Sequence, residues 1–288
     1  KTTVYEYICA NYGVHPEPGT TIMADTPVSE EEYAFPKLEG LPDDTPLGKL
    51  KKDEVWFPGL EYLFGFGNLV FSDSVHYEFQ IPKKDLMKFV RENEGSPMTV
   101  VAAIMAKALY RALPKNKLPL RIETNHNYRA EVGCPQTHHD LLSHIFFLIP
   151  QKAKDWPIDK ICTAIRGATH LQLQPEYAYD TLRKFYEYTD GIDSVKGLEE
   201  KNKYATKNSH RVPDVHNSFL INYMGRENWG EMTEYVERAH IITDAHLLFE
   251  ILDVGDNFCI SLMQMNKTKK YMDYFCRILD EENIPYKI

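Results

Sequence analysis

A short histidine-rich stretch is the first part of the sequence whose residue types suggest chemistry. His138 and His139 are followed directly by Asp140, and His144 lies four residues further on. Imidazole and carboxylate groups bind zinc, and a helical zinc site commonly uses two histidines at positions i and i+4, as in HExxH. No pair of these histidines has that spacing, so the sequence predicts no metal site.

Arg129 and two asparagines are candidates for binding groups. Arg129 closes a predicted strand, where its guanidinium can pair with a carboxylate or a phosphate, or can simply cap the strand in solvent. Asn217 immediately precedes a second predicted strand and Asn222 lies within it, and side-chain amides can donate hydrogen bonds to negative charge that develops on a substrate oxygen. Each asparagine can instead satisfy backbone groups at a turn, so both interpretations stay open.

Several common catalytic motifs are missing from the sequence. It contains no nucleophile elbow, P-loop or GxGxxG motif, and the glycines of the GFG string at residues 65–67 are too few to form one. No serine or cysteine has the local sequence of an activated nucleophile. Hydrolase, kinase and dehydrogenase chemistry therefore has no support from motifs.

The bulk composition is that of a globular protein with a large core. The chain has 288 residues, of which 43% are hydrophobic and 12% aromatic. Its formal net charge of −9 disfavours nucleic acid as a partner, because nucleic-acid binders need a concentrated basic surface.

The cysteines and the apolar runs indicate the cellular setting. The five cysteines are widely spaced and include no CxxC pair, so we predict reduced thiols and a cytoplasmic location. No uninterrupted apolar run approaches the roughly 20 residues of a membrane-spanning helix, and the first residues lack the pattern of a signal peptide.

The first third of the chain is predicted to hold a helix, a loop and two strands. Apolar residues at three- and four-residue spacing predict a short helix from Val4 to Tyr12, ended by Gly13. Residues 16–59 are rich in Pro, Asp, Glu and Gly and predict a long surface loop. Strands are predicted at residues 69–71 and 75–81.

The next segments alternate between helix and strand. A helix is predicted at residues 83–94, and Ser96 and Pro97 predict the start of a second helix that is apolar on nearly every face. Further on, the pattern predicts strands at residues 120–125, 144–149, 218–223, 235–239, 246–252 and 258–265. It also predicts helices at residues 158–173, 177–188 and 267–282, a polar linker at residues 191–208, and a hairpin turn at Gly255.

Three strings of the sequence, in this order, resemble one protein superfamily. FQIPKKDLMKFVRENEGSPMTVVAAIMAKAL is similar to the strand, helix and alanine-rich helix that open the second subdomain of condensation domains. RIETNHNYRAEVG resembles the following strand that runs into an arginine, and RVPDVHNSFLINYMGR a later strand that ends in an Asn-Tyr-x-Gly-like turn. The chain thus resembles the chloramphenicol acetyltransferase and condensation-domain superfamily, most closely its alcohol O-acetyltransferase-like proteins.

The resemblance implies an α/β fold, a CoA-dependent acyltransferase-like two-layer sandwich. Residues 1–67 would be the remainder of the N-terminal subdomain with its long loop, and residues 68–288 the complete C-terminal subdomain. A channel between the subdomains would receive an acyl thioester and an alcohol or amine acceptor. The residues expected to line it are Arg129, His139, Asn217, Asn222 and Tyr223, and Arg129 would face carboxylates or coenzyme A phosphates.

The superfamily's HHxxxDG motif, whose histidine acts on the acceptor, does not occur in this sequence. By the resemblance it would lie just before Lys1, in the N-terminal portion of the same protein. His210 and His240 each precede an aspartate by four residues, but neither has the preceding histidine or the following glycine. We therefore assign neither as the base, and the catalytic residue stays unknown at this point.

The sequence leaves three hypotheses for function. The first is an acyltransferase or condensation-type enzyme that uses acyl-CoA or a phosphopantetheinyl carrier protein as co-substrate, with no tightly bound cofactor. The second is a non-catalytic condensation-like module that binds a carrier protein or a lipid-like ligand. The third, a histidine-based hydrolase, requires a paired nucleophile that the motifs do not reveal.

Overall fold

The computed structural model describes residues 1–19, 21, 26–36, 55–56, 58, 75–208, 217–226, 228–242, 247–265 and 268–288. Six strands form one mixed sheet: β1 (Val75–Pro82), β2 (Leu120–Asn127), β3 (Leu142–Ile149), β4 (Phe219–Arg226), β5 (Leu247–Val254) and β6 (Asn257–Gln264). Their order across the sheet is β1-β6-β5-β4-β2-β3. Strand β4 runs parallel to both β2 and β5, and the other neighbours are antiparallel.

Seven α-helices lie within the described residues. They are α1 (Thr2–Tyr12), α2 (Lys83–Glu92), α3 (Pro97–Ala112), α4 (Ile158–Gln172), α5 (Pro175–Asp193), α6 (Leu198–Asn208) and α7 (Lys270–Glu281). Short 3-10 helices occupy Glu30–Tyr33, Gln151–Asp155 and Gly230–Tyr235. None of the helices in these ranges combines the length and apolarity needed to cross a membrane.

One face of the sheet is apolar and packs against helices. Phe79 of β1 and Phe249 of β5 meet Phe275 of α7, with ring centroids 5.6 and 5.3 Å apart. Helix α3 packs between α7 and α4 and also touches β4. Burying this face removes a large apolar area from water, which supplies most of the driving force for folding.

The start of α3 follows the sequence prediction. The Ser96 side chain accepts a hydrogen bond from the Thr99 N–H, and the Thr99 hydroxyl oxygen accepts one from the Ser96 N–H at 2.7 Å. Pro97 occupies the first turn, where no backbone donor is needed. The helix is buried on most sides, as its sequence predicted.

Two predicted segments differ from the structure. Residues 235–239 were expected to form a strand, but the chain forms the 3-10 helix Gly230–Tyr235 and then runs without regular structure. Residues 191–208 were expected to be a linker, but α5 continues to Asp193 and α6 follows. Helix α6 is mostly polar and packs on α5, where the hydroxyl of Tyr204 approaches the backbone at Gly191 so closely that a side chain there would clash.

The segment predicted as a surface loop is only partly on the surface. Trp56 is 5% exposed, forms a β-bridge with Leu120 and packs edge-on against Tyr271 of α7. The 3-10 helix Glu30–Tyr33 lies next to the histidine-rich loop, where the carbonyl of Glu32 accepts from the His138 N–H. The polar composition of the segment gave no sign of these contacts.

The remaining strand and helix predictions agree with the structure to within a few residues. The largest difference is in helix α5, which begins two residues before its predicted start and ends five residues after its predicted end. The hairpin between β5 and β6 turns at Gly255, whose φ of 56° is the left-handed conformation that glycine adopts without strain. The mixed α/β class is confirmed. The predicted strand at residues 69–71, the GFG string, His210 and Asp244 lie outside the described residues. The division of the chain at residue 67 stays a prediction.

Candidate functional site

The sheet face opposite the helices carries one polar side chain from each strand, aligned across all six strands. Strand register pairs His144 with Asn125, Asn222 with Glu250, Glu250 with Ser261, and Ser261 with Glu78. The Asn125 N–H donates to the Asn222 side-chain oxygen at 3.1 Å, which joins the pair on β2 and β3 to the residues on the other four strands. We call these six residues the polar row: His144, Asn125, Asn222, Glu250, Ser261 and Glu78.

One end of the polar row is open and contains a histidine held by a carboxylate. His144 Nδ1 lies 2.6 Å from Oε1 of Glu123, whose side chain is only 7% exposed. The other carboxylate oxygen of Glu123 accepts a hydrogen bond from the side chain of Asn217. The imidazole is 41% exposed, so a ring with a buried partner on one nitrogen remains accessible.

The electrostatics of this end favour a protonated ring. The close contact with the Glu123 carboxylate raises the pKa of His144, and the nearby charges of Glu123 and Asp140 act in the same direction, while burial opposes them. Phe146 lies beside His144, and the guanidinium of Arg121 stacks 4.0 Å above the centre of the Phe146 ring. The surroundings of the ring are therefore a mixture of charged and aromatic groups.

The middle of the polar row is an amide clamped between two strands. Asn222 accepts from the Asn125 backbone and donates from Nδ2 to Oε1 of Glu250 at 2.9 Å. These two contacts fix the amide orientation. Glu250 is 6% exposed, and burial raises the pKa of its carboxyl group more than the bond from Asn222 lowers it.

A second histidine, His240, lies beside the other end of the polar row and is enclosed. His240 Nδ1 lies 3.1 Å from the Ser261 hydroxyl, and its Nε2 lies 3.7 Å from Oε2 of Glu78. The His240 side chain is 7% exposed, and burial lowers its pKa. Ser261, His240 and Glu78 have the types of a hydrolase triad, but the Ser261 residue is only 3% exposed, so a substrate has little access to it.

Two of the residues predicted to line a channel lie on the loop between β2 and β3. Arg129 donates from Nε to the Thr137 carbonyl and from Nη2 to the His139 carbonyl, each at 2.8 Å, and from Nη1 to the Asn127 side chain at 3.1 Å. Arg129 thus holds the loop in place. His139 is exposed, and its ring packs edge-on against Phe35.

The predicted residues on β4 and just before it are divided between the two faces of the sheet. Asn217 and Asn222 are brought to the polar face, where both contact buried carboxylates. Tyr223 follows Asn222 by one position, so its ring lies on the helical face beside Phe258, with centroids 6.2 Å apart. Burial raises the pKa of Tyr223, as expected of a hydroxyl near the core.

Sequence reasoning missed Glu123, Glu250 and the pairing of His144. Glu250 sits within an otherwise apolar strand, LLFEILDV, and a lone carboxylate in such a strand is a signal that could have found it. Arg121, Glu123 and Asn125 occupy every second position of β2 and therefore share one face of the strand, which marks that face as polar. Among the described residues, no group of three or more His, Cys, Asp or Glu side chains is arranged to hold a metal ion.

Comparison with known proteins finds similarity at the level of structure. No protein-family model and no curated protein sequence matches the chain. The structure of F. sporotrichioides TRI101 complexed with coenzyme A and T-2 matches with a TM-score of 0.54 and 10% identity, covering 86% of this chain and 56% of that one. F. graminearum TRI101 complexed with coenzyme A and T-2 mycotoxin matches with a TM-score of 0.53 and 11% identity, covering 90% and 60%.

A condensation domain is also among the similar structures. The domain that mediates chain release from the enacyloxin polyketide synthase matches with a TM-score of 0.48 and 13% identity, covering 72% of this chain and 40% of that one. The chain therefore spans between 40% and 60% of the length of these three proteins. At such low identity the likeness concerns the fold alone: the α/β fold of this chain is similar to that of the two TRI101 structures, as the sequence resemblance implied.

Proposed function

We propose that the chain is part of an acyltransferase or condensation-type enzyme that moves an acyl group from a thioester to a hydroxyl or amine acceptor. The thioester would be acyl-CoA or an acylated phosphopantetheinyl carrier protein, consumed as a co-substrate. Residues 68–288 would form the C-terminal subdomain, and residues 1–67 with the N-terminal portion of the protein the other. The reaction would take place in the cytoplasm.

The observation that carries this proposal is the fold shared with TRI101 structures that hold coenzyme A. The polar row adds support from this chain's own residues. It places a fixed amide, two buried carboxylates and a histidine on the sheet face opposite the one that packs against α7. Acyl transfer develops charge on the carbonyl oxygen and releases a proton from the acceptor, and the row offers groups of both required types.

Asn222 is the best candidate for stabilising the oxyanion. Its two hydrogen bonds fix the amide before any substrate arrives, and such preorganisation is what makes a donor effective in a transition state. Nδ2 carries two hydrogens, so donation to Glu250 leaves one for a substrate oxygen. Arg129 and His139 would shape the neighbouring wall through the loop that Arg129 holds.

The test is thioester turnover by the protein, followed as free thiol released from a panel of acyl-CoA and acyl-carrier donors with alcohol and amine acceptors. We expect acceptor-dependent thiol release, and a fall of roughly 10²-fold in kcat for Asn222→Ala, the usual cost of losing one oxyanion donor. Asn202→Ala, at an exposed position of α6, is the matched control and should keep the full rate.

Two results would contradict the enzymatic proposal. Binding of coenzyme A or of a carrier protein by calorimetry, without turnover of any donor, would favour the non-catalytic binding module. Hydrolysis of thioesters or esters without an acceptor, abolished by Ser261→Ala, would favour the hydrolase that the Ser261, His240 and Glu78 contacts resemble.

A further inference from the structure

We propose that the outer edge of strand β3 is an interaction surface for a second copy of this chain, which the side-chain amide of Gln172 keeps closed. Strand β3 stands last in the sheet order, and within the described residues no strand lies beyond it. An edge strand presents backbone N–H and C=O groups with which another strand can pair. The inference does not depend on the proposed acyl transfer.

The first argument is the way in which Gln172 binds the edge of β3. The Phe146 N–H donates to Oε1 of Gln172 at 3.1 Å, and Nε2 of Gln172 donates to the Phe146 carbonyl at 2.9 Å. A residue of a neighbouring antiparallel strand would form the same pair of bonds, one accepted and one donated. The side-chain amide therefore takes the place of a strand residue at the middle of β3.

The second argument is that further contacts fix this amide. Gln172 is the last residue of α4. Its Nε2 also donates to the Ala168 carbonyl at 3.1 Å, and its backbone carbonyl accepts from the Tyr128 hydroxyl at 3.2 Å. Both hydrogens of the amide nitrogen therefore have acceptors, and the end of the helix is tied to the residues that follow β2. The amide is held against the strand and is not a freely rotating surface group.

The third argument is that other outward positions of β3 are also closed. Because both backbone groups of Phe146 point away from β2, the even-numbered residues of this strand direct their backbone groups outward. The Leu142 N–H, at the start of the strand, donates to Oδ1 of Asp140 at 3.1 Å. Pro150, directly after the strand, has no N–H to offer. Phe146 lies midway between these two closed ends.

The opposite edge of the sheet is closed by the backbone of the same chain. Gln80 of β1 exchanges two hydrogen bonds of 2.9 Å with Lys287, near the C-terminal end of the sequence. At that edge the partner is a backbone segment, whereas at Phe146 the partner is one side chain. A single substitution is therefore enough to open the edge of β3 at its centre.

A second copy of the chain is the partner that the sequence of β3 fits. Residues 144–149 read HIFFLI, which combines high β-propensity with low charge and no proline, and segments of this kind pair with copies of themselves. Leu142 and Leu148 of the same strand are 45% and 44% exposed. If Phe146 lies on a two-fold axis, its N–H and C=O meet the C=O and N–H of the same residue in the second copy.

The experiment measures the mass of Gln172→Ala by analytical ultracentrifugation over a range of protein concentrations. We expect a species of twice the wild-type mass that grows with concentration, whereas the wild type keeps its mass. Gln174→Ala is the matched control, because the Gln174 amide donates to the His170 carbonyl of α4 at 2.9 Å. The control should behave as the wild type, and circular dichroism verifies that all variants fold.

A second substitution identifies the surface that associates. Leu148→Lys in the Gln172→Ala background places a charge beside the opened edge, and charged edge residues oppose strand pairing. We expect this double variant to regain the wild-type mass.

Hydrogen exchange of the Phe146 amide gives an independent measurement at the same position. In dilute Gln172→Ala it should be about fivefold faster than in the wild type, because one hydrogen bond is lost. It should slow again as the concentration rises, because the second copy then protects the amide.

Three results would overturn the proposal. One is a Gln172→Ala variant that keeps the wild-type mass at every concentration. Another is a doubled mass that Leu148→Lys leaves in place, since the association would then use a different surface. The third is Phe146 exchange in Gln172→Ala that does not depend on concentration. None of these measurements requires thioester turnover, so the proposed acyl transfer is tested separately.

Discussion

A histidine lies at each end of the polar row, His144 within it and His240 beside it, and the two rings differ in exposure and in the direction of their pKa shifts. His144 contacts the buried carboxylate of Glu123 and is 41% exposed, whereas His240 contacts the hydroxyl of Ser261 and is 7% exposed. The pKa of His144 is raised by its carboxylate, and the pKa of His240 is lowered by burial.

The difference shows how the partner and the exposure of a histidine on a sheet set its protonation and its accessibility. His240 contacts a hydroxyl in an enclosed site, where burial favours the neutral ring but a substrate has little access to it. A carboxylate close to an exposed ring increases the proton affinity of the imidazole and leaves the ring accessible. The two ends of the row therefore differ both in the exposure of the ring and in the direction of its pKa shift.

The largest expected effect is the difference in stability between replacing Glu123 and replacing Glu78. Glu123→Ala removes the partner of both Asn217 and His144, so we expect the free energy of unfolding to fall by about 3 kcal/mol. Glu78→Ala removes an exposed carboxylate that lies 3.7 Å from His240, and should cost less than about 0.5 kcal/mol. Urea denaturation measures both, and equal losses would contradict the difference between the two ends.

A smaller effect concerns the pH dependence of stability. The raised pKa of His144 stabilises the fold below the unfolded pKa of about 6.5, and this contribution is lost as the pH rises through the folded value. The lowered pKa of His240 has the opposite sign, since its contribution is present above about 6.5 and is lost as the pH falls.

The check is the melting temperature at about pH 5.5 and about pH 8.5. The gap between the wild type and His144→Asn should be wider at the lower pH. The gap between the wild type and His240→Asn should be wider at the higher pH. Gaps that change in the same direction would show that the two rings do not differ as described.

The smallest effect concerns the middle of the row. The raised pKa of Glu250 means that its contribution to stability is present at acid pH and is lost as the pH rises through the folded value. Glu250→Gln keeps an acceptor for Asn222 and removes this loss, so we expect it to be more stable than the wild type at neutral pH by less than about 1 kcal/mol.

The matched control for that change is Glu187→Gln at an exposed position of α5, which should leave stability unaltered at either pH. Thermal unfolding at acid and neutral pH provides the measurement. A destabilised Glu250→Gln at neutral pH would show that the carboxylate is ionised and well solvated.

Much of the fold could be predicted because its signals are local. Ser96 and Pro97 mark the start of α3, and Gly255 marks the hairpin, since each satisfies a backbone requirement within a few residues. Helix α6 was missed because its sequence is polar and its contact with α5 depends on the close approach of Tyr204 to Gly191.

The site could be predicted only in part. Asn217 and Asn222 were identified through the family resemblance of the RVPDVHNSFLINYMGR string, and both lie on the polar face. Tyr223 was assigned to the same site, although adjacent residues of a strand point to opposite faces. Glu123 and Glu250 were missed because a single carboxylate in a strand does not reveal its neighbours.

The sequence by itself determined the alternation of strands and helices, the buried character of α3 and the resemblance in fold, because these depend on residue periodicity and order. Only the tertiary structure decided that His144, Asn125, Asn222, Glu250, Ser261 and Glu78 form one row. That alignment depends on the register of strands far apart in the chain, and a shift of one residue would send each side chain to the other face.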